Sequence, residues 1–447
     1  MKTKLILIIG ILFCIQINAQ ESISLSLEQA IDYALKNSYA TINASRDIDA
    51  AKLKKWETTT MGLPQISATI DYQNWIKQQV SLIPAEFFGG NVGEFAEVSF
   101  GTKHNMNATA TLNQLIFDGS YLVGLQSAKV YLKISENAQE KTELSIREAV
   151  INAYGNVLLS EESVLILEKN IATLEKNLLE TTQIYKNGLA EEESVEQLQI
   201  TLASVKSQLS KTKNLKSIAY KMLNITLGIE INTAVSLSDS LNKLAKENLD
   251  LGLLSGDFTF ENHIDYKIAK NNETANELFV KLEQSKALPT LSSFVNFGYA
   301  GFGEDFDFTK KDQKWFDSSL LGVSLNIPIF SSFARSSRTQ QAKIELEKAK
   351  TNLTETEQKL KLQLETAKTN YNFSIEELET SKQNLALAER IENKQQIKFF
   401  EGISTSFELT EAQRQLYSMQ QNYLQAMFSI IANKATLDNA LNTPTNN

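Results

Sequence analysis

The chain is written twice, and each copy changes its hydrophobic period midway. Leu63-Pro64 opens a run that ends at Phe117, followed by a long proline-free stretch with a glycine turn at Asn187-Gly188. Leu288-Pro289, Phe330 and Glu401-Gly402 repeat that order. Phe117 to Gly188 is 71 residues and Phe330 to Gly402 is 72. Apolar side chains recur every second residue in the first segment of each copy and about every seventh in the second. Each copy therefore joins a strand pair to a helical hairpin.

Residues 1–19 read as a secretory signal: Lys2 and Lys4, then the apolar run Leu5 to Ile15, then Ile17-Asn18-Ala19. The one cysteine, Cys14, leaves with it, so the mature chain has neither a disulfide nor a cysteine metal site. Bulky Phe13 before Cys14 makes it a poor lipid-anchor site. Loss of the two lysines leaves 42 basic against 53 acidic side chains, a net −11, which argues against nucleic acid as a partner. No later stretch has about 18 uninterrupted apolar residues. A membrane-crossing form of this chain must be a barrel.

Proline occurs only at 64, 84, 289, 328 and 444, which permits long helices between 85 and 288 and between 329 and 443. Leu144, Ile151, Leu158, Leu165, Ala172 and Leu179 form one heptad series. Val150, Val157, Val164, Ile171, Leu178 and Tyr185 form a second beside it, and two seams mean neighbours on two sides. In the second copy Leu360, Leu364, Ala367, Tyr371, Ser374, Leu378, Ser381, Leu385 and Ala388 alternate four and three apart. An ordinary antiparallel coiled coil fits these helices equally well.

The strands separate the two readings. Ile66, Ala68, Ile70 and Tyr72 alternate with polar residues, as do Met106, Ala108, Ala110 and Leu112. Leu291, Val295, Phe297 and Tyr299, then Leu321, Val323, Leu325 and Ile327, repeat the pattern. Each run has about the ten residues of a tilted membrane strand. A soluble sheet alternates in the same way. Aromatic residues at the strand ends favour the membrane: Tyr72, Trp75, Phe87, Phe88, Phe95 and Phe100 in one copy, Phe302, Phe306, Phe308, Trp315 and Phe316 in the other. Closure needs at least about eight strands, so four per chain imply several copies sharing one barrel, with eight or twelve strands both satisfying the geometry.

The expected organisation is a signal at 1–19, an N-terminal periplasmic helix region at 20–62 and a first strand pair at 63–117. A first helical hairpin follows at 118–228, a crossover and helix at 229–287, and a second strand pair at 288–330. A second hairpin at 331–441 and a disordered tail at 442–447 complete it. Within the N-terminal region 26–60 reads as one helix, and 77–104 and 303–316 read as strand connectors facing the cell exterior.

At this point the chain resembles the TolC-type outer-membrane efflux protein family. The opening Leu25-Ser26-Leu27-Glu28-Gln29-Ala30, the helix running into Leu-Pro, the strand pairs ending at Phe117 and Ile327-Pro328-Ile329-Phe330, and the two tip glycines carry the likeness. The resemblance implies a mainly α fold with a membrane β-barrel: a homotrimer sharing one twelve-stranded barrel in the outer membrane of a Gram-negative bacterium, continued by a periplasmic α-helical tube. It implies a passive export duct that docks a periplasmic adaptor and an inner-membrane pump, with no cofactor.

It also implies a gate of acidic rings six and nine residues past the second tip glycine, which are Glu408 and Glu411 here. Two solvated glutamates on an acidic helix are the plainer alternative. The family's ionic latch is missing, since Ser404 and Ser194 stand where an arginine and an acid would; Phe399, Phe400 and Phe407 are expected to seat the tips by packing instead. Asn187-Gly188-Leu189 and Glu401-Gly402-Ile403 match the segments that meet the adaptor, although a helix C-cap explains each glycine as well. His104 and His263 stand apart from any ligand-like spacing, and no P-loop or nucleophile elbow occurs, so an enzyme is not expected. A soluble coiled-coil surface scaffold and a dedicated protein or peptide secretion conduit remain the alternatives to small-molecule export.

Overall fold

The computed structural model describes residues 23–255 and 259–442. The expected signal with Cys14, and the expected tail apart from Asn442, lie outside the described residues. In chain order the elements are β1 (Ile23–Leu25), α1 (Leu27–Asn37), α2 (Tyr39–Thr60), β2 (Gln65–Asn74), β3 (Val80–Pro84), β4 (Phe95–Ser99) and β5 (His104–Phe117). Then come α3 (Gly119–Lys186), α4 (Glu192–Leu227), β6 (Val235–Leu237), α5 (Leu241–Glu247), α6 (Ile264–Ser285), β7 (Thr290–Gly303), β8 (Trp315–Asn326), α7 (Ala334–Phe400) and α8 (Ser406–Ala440). The fold is mainly helical, and no helix among the described residues is long and apolar enough to cross a membrane.

The chain divides into two compact units. The unit of Asp49–Ile134 and Asn271–Thr351 holds an antiparallel sheet in the order β2-β5-β7-β8. Register puts the alternating apolar residues of all four strands on one face, because side chains one pair apart point to opposite sides. Ile66, Leu112, Val295 and Leu321 form one row across it, and Ile70, Ala108 and Tyr299 continue the same face. Thr69, Thr109, Gly298 and Ser318 form a row on the opposite, largely polar face. Ile66 is 75% exposed and Leu321 72%, so none of the described residues covers the apolar face there. Among the described residues the sheet does not close: β2 and β8 are its edges.

At one end of this sheet Tyr72 packs edge-on to Phe306 and Phe308, with ring centroids 5.3 and 6.1 Å apart, and Phe308 tilts against Trp315. The expected connector 77–104 contains the hairpin β3–β4, whose Leu82, Phe87, Phe88 and Phe95 are exposed.

The second unit, made of the other described residues, is helical. Its main core gathers Val150, Tyr154, Val157, Leu223, Leu227, Leu241, Leu364, Tyr371, Ile430 and Leu437 among others. The seam Leu360 to Ala388 is buried or half-buried along its length, as its spacing anticipates. Of the two series on α3, Val150, Val157, Val164 and Ile171 are buried, whereas Leu165, Ala172 and Leu179 are exposed. Leu158, of the same series as Leu165, is buried as well, so only the part of that seam from Leu165 toward the tip is left uncovered by the described residues.

The single helix expected over 26–60 is broken. Ser38 is extended, at φ −64° and ψ 145°, and its hydroxyl accepts a hydrogen bond from the Thr41 amide. A distant segment meets the chain at this break: Gly228, the left-handed C-cap of α4, comes so close to the Asn37 carbonyl that a Cβ there would stand 2.2 Å from its oxygen. The crossover also contains more order than its composition suggests, with β6 pairing in parallel with β1 and α5 burying Leu241, Leu244 and Ala245.

Candidate functional site at the hairpin tips

Both helical hairpins reverse at their glycines, and they do so by the same device. Gly188 has φ +77° and Gly402 has φ +76°, a region that side chains with a Cβ avoid. The Gly188 amide donates to Tyr185 O and that of Leu189 to Ile184 O; Gly402 donates to Phe399 O and Ile403 to Lys398 O. These paired bonds form a Schellman cap, which satisfies the last carbonyls of α3 and α7. Leu189 is 79% exposed and Ile403 71%, so the apolar residue just past each cap is left in solvent. Asn187, whose side-chain amide donates to Gln183 O, and Glu401 are exposed as well.

The tips border a cavity of about 730 Å³. Thr181, Leu189 and Ser194 of the first hairpin and Phe399, Phe400 and Phe407 of the second are among its lining residues. Phe399 and Phe400 are half-buried and pack edge to face at 5.4 Å, whereas Phe407 is 66% exposed. The structure thus brings all three phenylalanines to one cavity with the tip turns.

Glu408 and Glu411 lie on the first turns of α8, both exposed. Glu408 closes a capping box: its Oε2 accepts from the Thr405 amide at 2.9 Å, while its own amide donates to Thr405 Oγ1 at 3.2 Å. Ser404 Oγ, at the position of the absent arginine, donates to the same Oε2 at 2.7 Å. That hydroxyl bond first, then the Thr405 amide, holds the Glu408 carboxyl below its ordinary range. Glu411 is likewise lowered by its hydrogen bonds to Arg414, whose Nε and Nη2 donate to its two oxygens at 3.0 and 2.9 Å. The spacing of Glu411 and Arg414, three apart on a helix, was the available signal for that pair.

Behind the tips the packing turns polar. Asn170 Nδ2 donates to Gln420 Oε1 at 2.8 Å, and one heptad on, Gln396 Nε2 donates to Asn177 Oδ1 at 2.9 Å. Thr181 is fully buried, and its Oγ1 has no hydrogen-bond partner among the described residues. His104 Nδ1 lies 2.8 Å from the Tyr72 hydroxyl, and His263 Nδ1 accepts from the Asp265 amide.

The chain is 21% identical over 351 residues to outer membrane protein TolC of Vibrio cholerae, covering 76% of this chain and 77% of the relative. Its fold is similar to the CmeC outer membrane channel of Campylobacter jejuni, with a TM-score of 0.73 at 17% identity over 93% of this chain and 85% of that one. It is also similar to the outer membrane protein VceC of Vibrio cholerae, at 0.70 and 16% over 93% and 96%. A profile of the outer membrane efflux protein family matches residues 30–228 and 262–443, most of both copies. The chain belongs to the outer membrane efflux protein family.

Proposed function

We propose that three copies of this chain form a passive export duct, their sheets closing one twelve-stranded barrel and their helical hairpins walling a periplasmic tube. Family membership supports an outer-membrane location in a Gram-negative bacterium and an efflux role. One observation carries the finer reading: a four-stranded sheet with an uncovered apolar face and two bare edges. Bare edges in hydrocarbon leave backbone groups unpaired at several kcal/mol each, so copies must pair edge to edge. The exposed Leu165, Ala172 and Leu179 on α3 call for a neighbouring copy in the same way.

In this reading small molecules pass from an inner-membrane pump through the tube, and the energy comes from the pump. Glu408 and Glu411 face the lumen near the tips, and Phe399, Phe400 and Phe407 seat the hairpins around the cavity. Asn187, Gly188, Leu189, Glu401, Gly402 and Ile403 meet the periplasmic adaptor; the solvent-exposed Leu189 and Ile403 support that role. Single-channel recording on the detergent-extracted protein in planar bilayers tests the duct. Discrete conductance steps are expected, and replacing the three phenylalanines together with alanine is expected to raise the open probability. A protein that partitions into detergent but never conducts would refute the reading.

A further inference from the structure

Arg414 grips Glu411 in a bidentate pair through Nε and Nη2, one edge of its guanidinium, and both side chains remain open to solvent at 77% and 50% exposure. Glu408 is different, because the donors on its carboxylate, Ser404 and Thr405, are neutral. We infer that Arg414 sets the ionic selectivity of the constriction by cancelling the Glu411 charge, which leaves Glu408 as the one uncancelled carboxylate of the two on the first turns of α8. This rests on the duct reading, in which the start of α8 faces the lumen.

The charges decide it. Each copy brings two glutamates and one arginine to this stretch, a net −1, so three copies carry −3 where the glutamates alone give −6. An exposed ion pair contributes little to stability, but selectivity depends on the field and not on the strength of the pair. At about 0.1 M salt the screening length is about 10 Å, so an ion passing several ångströms away feels Glu411 and Arg414 as a weak dipole. The positive end of α8 offsets the remaining charge further. A constriction built this way prefers cations only mildly, and passes anionic and neutral solutes better than two unopposed carboxylate rings would.

Reversal potentials in asymmetric salt give the cation-to-anion permeability ratio of each variant. Arg414→Gln is expected to raise that ratio roughly two- to tenfold at about 0.1 M salt, with the effect shrinking at about 1 M. Arg414→Lys keeps the charge and is expected to match the wild type. Glu411→Gln is expected to shift the ratio toward anions, and the double variant to return close to the wild type. If Arg414→Gln fails to assemble, Glu411→Gln reads the same pair from its other side, and an unshifted ratio there overturns the inference. Conducting Arg414→Gln pores with wild-type selectivity would overturn it alone; a wild type without conductance would overturn the duct reading and this inference with it.

Discussion

Gly188 and Gly402 sit in open space at positive φ, so a side chain there meets only backbone strain, whereas Gly228 combines positive φ with the Asn37 carbonyl at 2.2 Å from a would-be Cβ. Gly188→Ala or Gly402→Ala is expected to cost about 1 kcal/mol, and Gly228→Ala clearly more, measured by denaturant unfolding of the assembled protein. Equal losses at the three positions would contradict the close approach. The tip glycines were legible because a helix reversal asks for αL geometry, and that need is local. The importance of Gly228 was not, since it depends on Asn37, which lies 191 residues earlier. Glu392 makes a second residue-scale case: burial raises its carboxyl, offset in part by the Gln413 amide. A raised carboxyl favours the folded state below its unfolded value, about 4.3, and that contribution is lost as pH rises through the folded value. Glu392→Gln is therefore expected to melt higher than the wild type at neutral pH and alike at about pH 4; a lower melting temperature at neutral pH would count against it.

At the scale of elements, the strands were readable from period two alone, and the register then aligned Ile66, Leu112, Val295 and Leu321 in one row. Pairing of β1 with β6 was not readable, because three residues carry no period and the partners are more than 200 positions apart. The break at Ser38 was hidden for a related reason: serine within an apolar helical pattern is ambiguous, and the segment that packs against the break lies far along the chain. Heptads foretold the hairpins but not which seam one chain fills for itself, and only burial separates Val157 from Leu165. Buried Asn170 and Asn177, one heptad apart and each bonded across to the second hairpin, fix the register of the tip halves as buried polar residues do in coiled coils. Thr181 adds nothing to that register because its hydroxyl is buried without a partner. Thr181→Val is expected to stabilise the protein by about 1 kcal/mol in thermal or denaturant melts, and destabilisation would show that the hydroxyl is satisfied after all.

At the scale of the whole molecule, the described residues leave an apolar sheet face, two sheet edges and the tip-ward part of one heptad seam without partners. Residues with such needs are met by symmetry, and a closed ring of identical copies supplies every missing neighbour at once. The sequence carried this much: four amphipathic strands, too few to close, and two seams on one helix. It could not choose between eight and twelve strands, since period sets faces and not copy number. Mass decides that directly. Native mass spectrometry of the protein extracted from membranes in detergent is expected to give a species of three chains, and a monodisperse single chain that stays folded in detergent-free buffer would contradict the shared barrel.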